Sequence, residues 1–185
     1  VDWGAVEQTL RGWIKSATGL DDEHVLRYGQ DMSGVTLPFC DVRITFIQPV
    51  GAADAVDHDY NSGAPAGEEI TYTARGIREF GVRVRAFSTL AVGTNSAQAL
   101  LSKVQTFMAL PGGRAAFQAG GFTAFDQGRI LSVPAILDAN WEGQAFLETR
   151  FYAEETATEK TTYIQTAELT NQEPNPDHVF TVTIP

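Results

Sequence analysis

A single cysteine in 185 residues rules out an internal disulfide. The chain must therefore be held by packing and polar pairing, which suits a reducing compartment such as the bacterial cytosol. Cations are also scarce, with 13 Lys and Arg against 23 Asp and Glu and a net charge of -10. A sequence-independent nucleic-acid binder needs a basic face to neutralise phosphates, so the charge argues against that class. It argues against docking on an anionic membrane for the same reason. A protein that lets DNA slide past it remains open, because an acidic wall repels phosphate. No apolar run approaches the roughly 20 residues of a membrane helix. The first residues lack the basic-then-apolar pattern of a secretory signal. There is no internal repeat and no low-complexity tract.

Apolar residues make up 43% of the chain, enough for a packed core. A chain of this length can bury roughly 70% of its unfolded surface in one domain. Organisation is clearest from Arg78 to Leu110. Phe80, Val82, Val84 and Ala86 alternate with Arg83, Arg85 and Phe87, which predicts a strand with one covered face. Gly93-Thr94-Asn95-Ser96 reads as a turn. Ala97, Leu100, Leu101, Val104, Phe107 and Met108 then form one helical stripe. Ser96 is the expected N-cap, and Pro111 with Gly112-Gly113 the expected stop. The helix is expected to fold back over the strand's apolar face.

Asp2 to Thr18 predicts an amphipathic helix carrying Trp3 and Trp13, docked on its own sheet or on another subunit. His24 to Gln30 suggests a short strand, followed by a loop to Pro38. Phe39 to Gln48 alternates, with Val42, Ile44 and Phe46 opposite Asp41, Arg43 and Thr45; Cys40 shares the Val42 side. Pro49 to Glu68 has no periodicity and is expected to be a long projecting acidic loop, joined to a strand over Glu69 to Ile77. Thr123 to Asp138 is mixed, with a short strand near Arg129 to Pro134. Trp141 to Glu155 predicts a long strand. Thr162 to Leu169 extends the sheet or forms an edge. Asn171 to Asp177 reads as a turn, and Val179 to Ile184 as a β-branched terminus. The pattern is α+β: an antiparallel sheet, helices on one face, a long hairpin with a projecting loop, and an extended C-terminal arm. Residues 1–169 are expected to form one domain and 170–185 the arm. Extended, that arm spans on the order of 50 Å. It can add a strand to a neighbour's sheet or pair back onto its own.

Chemistry is hard to find. Asp57, His58 and Asp59 have the ligand types of a hard-cation site but lack the spacing and glycine of a calcium loop. A solvated acidic loop is the better reading of them. The Gly112-Gly113 and Gly120-Gly121 pairs match no phosphate-binding fingerprint. No serine sits in a nucleophile elbow, and Cys40 lies within a strand with no basic neighbour in sequence. Glu68-Glu69 and Glu154-Glu155 are adjacent pairs, which a strand points to opposite faces. Arg83, Arg85, Glu148 and Arg150 lie opposite the apolar faces, as cross-strand charge pairs or as the lining of an interface or channel. No catalytic residue, metal ligand or cofactor site is assigned.

Several phrases together carry a resemblance. They are the Trp-bearing first helix, Phe46-Ile-Gln-Pro-Val-Gly51, Arg78-Glu-Phe-Gly-Val-Arg-Val-Arg-Ala-Phe87, the Ala/Leu helix, Leu131-Ser-Val-Pro134 and Ala145-Phe-Leu-Glu-Thr-Arg-Phe-Tyr-Ala-Glu154. In this order they resemble the tail-terminator or neck proteins of long-tailed bacteriophages, over roughly Asp2 to Leu169. The resemblance implies a virion protein without catalytic residues. It implies a ring, commonly a hexamer, that caps the tail tube and joins it to the head connector. Its partners would be further copies of itself, the tail-tube protein and the connector or neck protein, with the tail sheath as a further candidate. DNA would pass through the lumen without specific binding, and assembly would take place in the host bacterial cytoplasm. A tail-tube or head-completion protein is the nearest alternative. A ligand-binding or metal-dependent enzyme built around Asp57, His58 and Asp59 is the remote one.

Overall fold

The computed structural model describes residues 1–32, 34–89, 96–133, 135–137, 140–161, 166–170 and 179–183. The turn expected at Gly93–Asn95 and the one at Asn171–Asp177 lie outside them. The chain forms two units, Val1–Asp54 with Gly76–Glu155 and Ala55–Arg75 with Thr156–Pro185.

In the first unit, α1 (Trp3–Thr18) starts where the Asp2 carboxylate accepts from the Gly4 and Ala5 amides at 2.9 and 3.2 Å. It stops at Gly19, whose φ of 76° is left-handed. Val6, Leu10, Trp13 and Ile14 are buried on one stripe. The tryptophans dock this helix on its own protein. Trp3 meets Phe80 edge-on at 5.3 Å. Trp13 donates its indole N–H to the Val104 carbonyl at 3.2 Å, so its polar atom is satisfied inside the core. The second helix, α2 (Ala97–Ala109), is capped by the Ser96 hydroxyl and buries Ala97, Leu100, Leu101, Val104 and Met108.

Pro111-Gly112-Gly113 does not simply stop a helix. Leu110 breaks α2 with an extended backbone, and Pro111 then opens α3 (Pro111–Ala119). Proline at the first helical position has no intrahelical N–H to lose. Gly113 is there for space: a Cβ would stand 2.1 Å from the Phe107 carbonyl oxygen, whereas one on Gly112 would meet nothing nearer than 3.9 Å. Gly113→Ala is therefore expected to destabilise by about 2 kcal/mol, and Gly112→Ala to change stability by less than about 1 kcal/mol. Paired thermal melts check this, and equal shifts would contradict the close approach.

The sheet runs β1-β2-β3-β7-β4, with β5 and β6 also pairing β7. Its strands are β1 (Val25–Arg27), β2 (Phe39–Tyr60), β3 (Ile70–Thr89), β4 (Phe122–Asp126), β5 (Ile130–Ser132), β6 (Ala135–Leu137) and β7 (Asn140–Thr161). β4, β5 and β6 are antiparallel to β7. Short β1 instead runs parallel to β2, with Val25 opposite Cys40. Phe80, Val82, Val84, Ala86, Cys40, Val42, Ala145, Leu147 and Phe151 face the helices and are buried. The alternation expected from the sequence therefore holds through the body of the sheet. Phe46 departs from it. Its ring lies over Gly81, 2.3 Å from where a Cβ would be, on the face away from the helices.

The expected loop over 49–68 is mostly strand. β2 continues to Tyr60, and the turn is confined to residues 61–69. Among the described residues β2 meets β1 on its far side only over Cys40–Val42. Beyond that it is an edge among the described residues, a position where a strand tolerates proline such as Pro49, and Gly51 takes a left-handed φ of 98° within it. The tip is built from local bonds: Asn61 accepts from Gly63 at 3.0 Å, and Glu69 accepts from Gly67 at 2.9 Å. In the second unit, β8 (Thr166–Thr170) pairs antiparallel with β9 (Val179–Thr183), Leu169 opposite Phe180.

Candidate assembly surface

With the helices on one face of the sheet in the first unit, the other face carries charge. Its members come from the alternate strand positions, so cross-strand neighbours meet. Asp41 on β2 takes a two-pronged contact from Arg85 on β3, Nε at 2.9 and 3.0 Å with Nη2 on the same carboxylate. Asp41 is 1% exposed, a buried charge that, among the described residues, the Arg85 guanidinium compensates. Tyr28 lies beside this pair, with the Arg43 and Arg85 guanidiniums 4.5 and 5.3 Å from its ring. Arg83 pairs with Glu148, and Arg150 reaches Glu79 at 3.2 Å. Farther along, Phe125 stacks on Tyr152 at 4.0 Å.

One group was not legible as a pair in sequence. Arg78 donates to Asp54 at 2.7 and 2.6 Å and to Glu155 at 2.6 Å, tying β2, β3 and β7 together. Gly76 makes room, since a Cβ there would lie 1.9 Å from the Asp54 carboxylate. The hydrogen bonds from Arg78 hold the Asp54 carboxyl below its ordinary value. That contribution to stability is present above the unfolded carboxylate range and is lost as pH falls through the lowered value. Asp54 heads the acidic segment, whose lack of periodicity gives no register against Arg78.

Between the charged strands lies a cleft of about 560 Å³, walled by Phe46, Gly81, Arg83, Arg129, Glu148 and Arg150 among others. In the second unit, a groove of about 580 Å³ is lined by Val56, Tyr72, Ala74 and Ala157 with Thr158 and Glu159. Val56 is 62% exposed and Tyr72 40%. This is apolar surface left in water.

A family model described as phage neck terminator protein matches residues 4–177. The chain belongs to the phage neck terminator protein family. No curated protein matches the sequence. The family is a structural one, so the chain is a structural protein of the phage virion, placed in its tail and neck and associating with other tail and head proteins.

For a neck terminator the remaining sequence candidates fall into place as surface or core. Asp57, His58 and Asp59 are all exposed on β2. Strand alternation puts Asp57 and Asp59 on one face and His58 on the other, where its ring is 6.3 Å from that of Tyr72. The three side chains do not converge, and among the described residues no group of His, Cys, Asp or Glu is arranged to hold a metal. Cys40 is wholly buried and burial pushes its thiol up to about 12, which removes the thiolate a nucleophile needs. Arg83, Arg85, Glu148 and Arg150 are cross-strand partners, and the cleft also brings in Arg129, which periodicity alone did not mark.

Proposed function

We propose that this neck terminator closes into a ring on the end of the tail tube, stops tube growth there and joins the finished tail to the head connector. Its partners in this reading are further copies of itself, the tail-tube protein and the connector, with the ring assembled in the host bacterial cytoplasm. DNA passes through a lumen whose acidity keeps phosphate from sticking. No residue is given a catalytic, cofactor or metal role.

The observation that carries the reading beyond family membership is the apolar groove of the second unit. Val56, Tyr72, Ala74 and Ala157 line it on strands, and Tyr60 nearby in sequence is 51% exposed. Surface of this kind on a virion protein is what subunit and tube contacts cover. Residues 170–185 act as an arm in this reading. β9 pairs only with β8 among the described residues, and a two-stranded pair is marginal alone, so it gains by docking on a neighbour.

Native mass spectrometry over a concentration series, with negative-stain images and added tail tubes, tests this. Closed rings that cap tubes are the expected result. Open filaments would favour a tube protein, and a chain that stays monomeric even on tubes would end the ring reading. Deleting Thr170–Pro185 is expected to weaken ring formation by at least about tenfold, as loss of a strand-addition contact does, while the melt of the sheet body stays within a few degrees.

A further inference from the structure

We propose that the cleft on the helix-free face of the sheet receives the Asp57 and Asp59 side chains of a second copy of this chain. The inference rests on the ring reading and names the contact that closes it. The cleft gathers Arg83, Arg129 and Arg150 against Asp126 and Glu148, so its lining is net positive in a chain with only 13 cations and a net charge of -10. Copies of an acidic protein repel one another unless their few cations meet carboxylates. Arg83 and Arg150 each hold one carboxylate of their own sheet, Glu148 and Glu79. Each guanidinium has five donors in a fixed fork, so each keeps donors that these pairs do not use. Arg129 is exposed and makes no ion pair or hydrogen bond through its side chain among the described residues.

The carboxylates show the matching asymmetry. Asp22, Asp41, Asp54, Glu79, Glu148 and Glu155 are each paired within their own chain. Among the described residues Asp57 and Asp59 make no ion pair, as Asp21, Glu154 and Glu159 do not, and of these only Asp57 and Asp59 share one strand face two residues apart. Their side chains are therefore spaced about 7 Å apart along the strand, a spacing that lets two carboxylates reach into one arginine-lined cleft. Cleft and donor are different surfaces of the chain. A contact between them is heterologous, head to tail, and repeating it generates a ring when the rotation closes.

The test is a charge swap read by native mass spectrometry and sedimentation, with tube capping scored in parallel. Arg129→Glu alone and Asp57→Lys/Asp59→Lys alone should each weaken self-association by at least about tenfold, and wild-type association should weaken with added salt. Combining Arg129→Glu with Asp57→Lys/Asp59→Lys should restore much of the loss. All three positions are exposed, so folding should be retained, which a melt verifies. Wild-type rings that survive both single-site changes overturn the cleft contact and leave the ring reading standing. Rings that persist in Arg129→Glu but no longer cap tubes give the cleft to the tube and overturn the second-copy occupant. A wild type that never forms rings, even on tubes, overturns both.

Discussion

Phe151→Ala should lower the stability of the first unit by about 4 kcal/mol, a fall in melting temperature of about 8–16 °C for a chain of this size. Phe151 is fully buried. Its ring stacks on Phe80 at 5.3 Å and meets the edges of Phe117 and Phe122 at 5.3 and 5.4 Å and of Trp13 at 6.2 Å. Rings from α1, α3, β3 and β4 thus converge on one side chain of β7. Removing it takes the transfer free energy of a buried aromatic and leaves a cavity that four elements would have to close. The neighbouring Tyr152 faces the other way and, among the described residues, stacks on Phe125 alone. Tyr152→Ala should cost on the order of 1 kcal/mol. Equal losses at 151 and 152 would mean that the two faces of β7 are misassigned.

Arg85→Met should cost about 3 kcal/mol, because it strands the Asp41 carboxylate in a site that excludes water. Asp41 is 1% exposed while Arg85 keeps contact with solvent, so the penalty falls on the acid left behind. The double change Asp41→Val/Arg85→Met removes both charges and leaves an apolar patch beside Tyr28 and Phe87. It should recover most of the loss, since a buried ion pair is commonly no more stabilising than a packed apolar replacement. Denaturant melts of the single and double variants measure the coupling. A double variant no more stable than Arg85→Met would show that the pair is held by something other than mutual compensation. The contact also organises the outer face, holding the Arg85 guanidinium next to the Tyr28 ring.

The fold was legible where the chain repeats one physical rule for long enough. Trp3, Val6, Leu10, Trp13 and Ile14 recur at helical spacing and form the buried stripe of α1. Phe80, Val82, Val84 and Ala86 alternate, and all four are buried. Legibility failed where two rules compete. Pro49 and Gly51 are loop residues by composition, yet β2 runs through them because an edge strand tolerates both. Pro111 and Gly112-Gly113 are stop signals by composition, yet they open α3, since proline fits a first turn and Gly113 lets the helix approach Phe107. In the candidate surface, the opposition of charged and apolar strand faces was visible in sequence, but the partners were not.

Before any strand is paired, the chain is legible as α+β, with its helices covering one face of a sheet, and as strongly acidic. Those properties follow from local periodicity and from summed charge, which need no knowledge of neighbours. Its order of phrases also carried the likeness to phage neck proteins. Tertiary structure alone decided which arginine meets which carboxylate, and that Asp57, His58 and Asp59 do not converge. It also decided that Arg129 joins Arg83 and Arg150 at one cleft. Those facts depend on strand register and on contacts between residues far apart in the chain, such as Arg83 and Glu148, and register is fixed only when the strands pair.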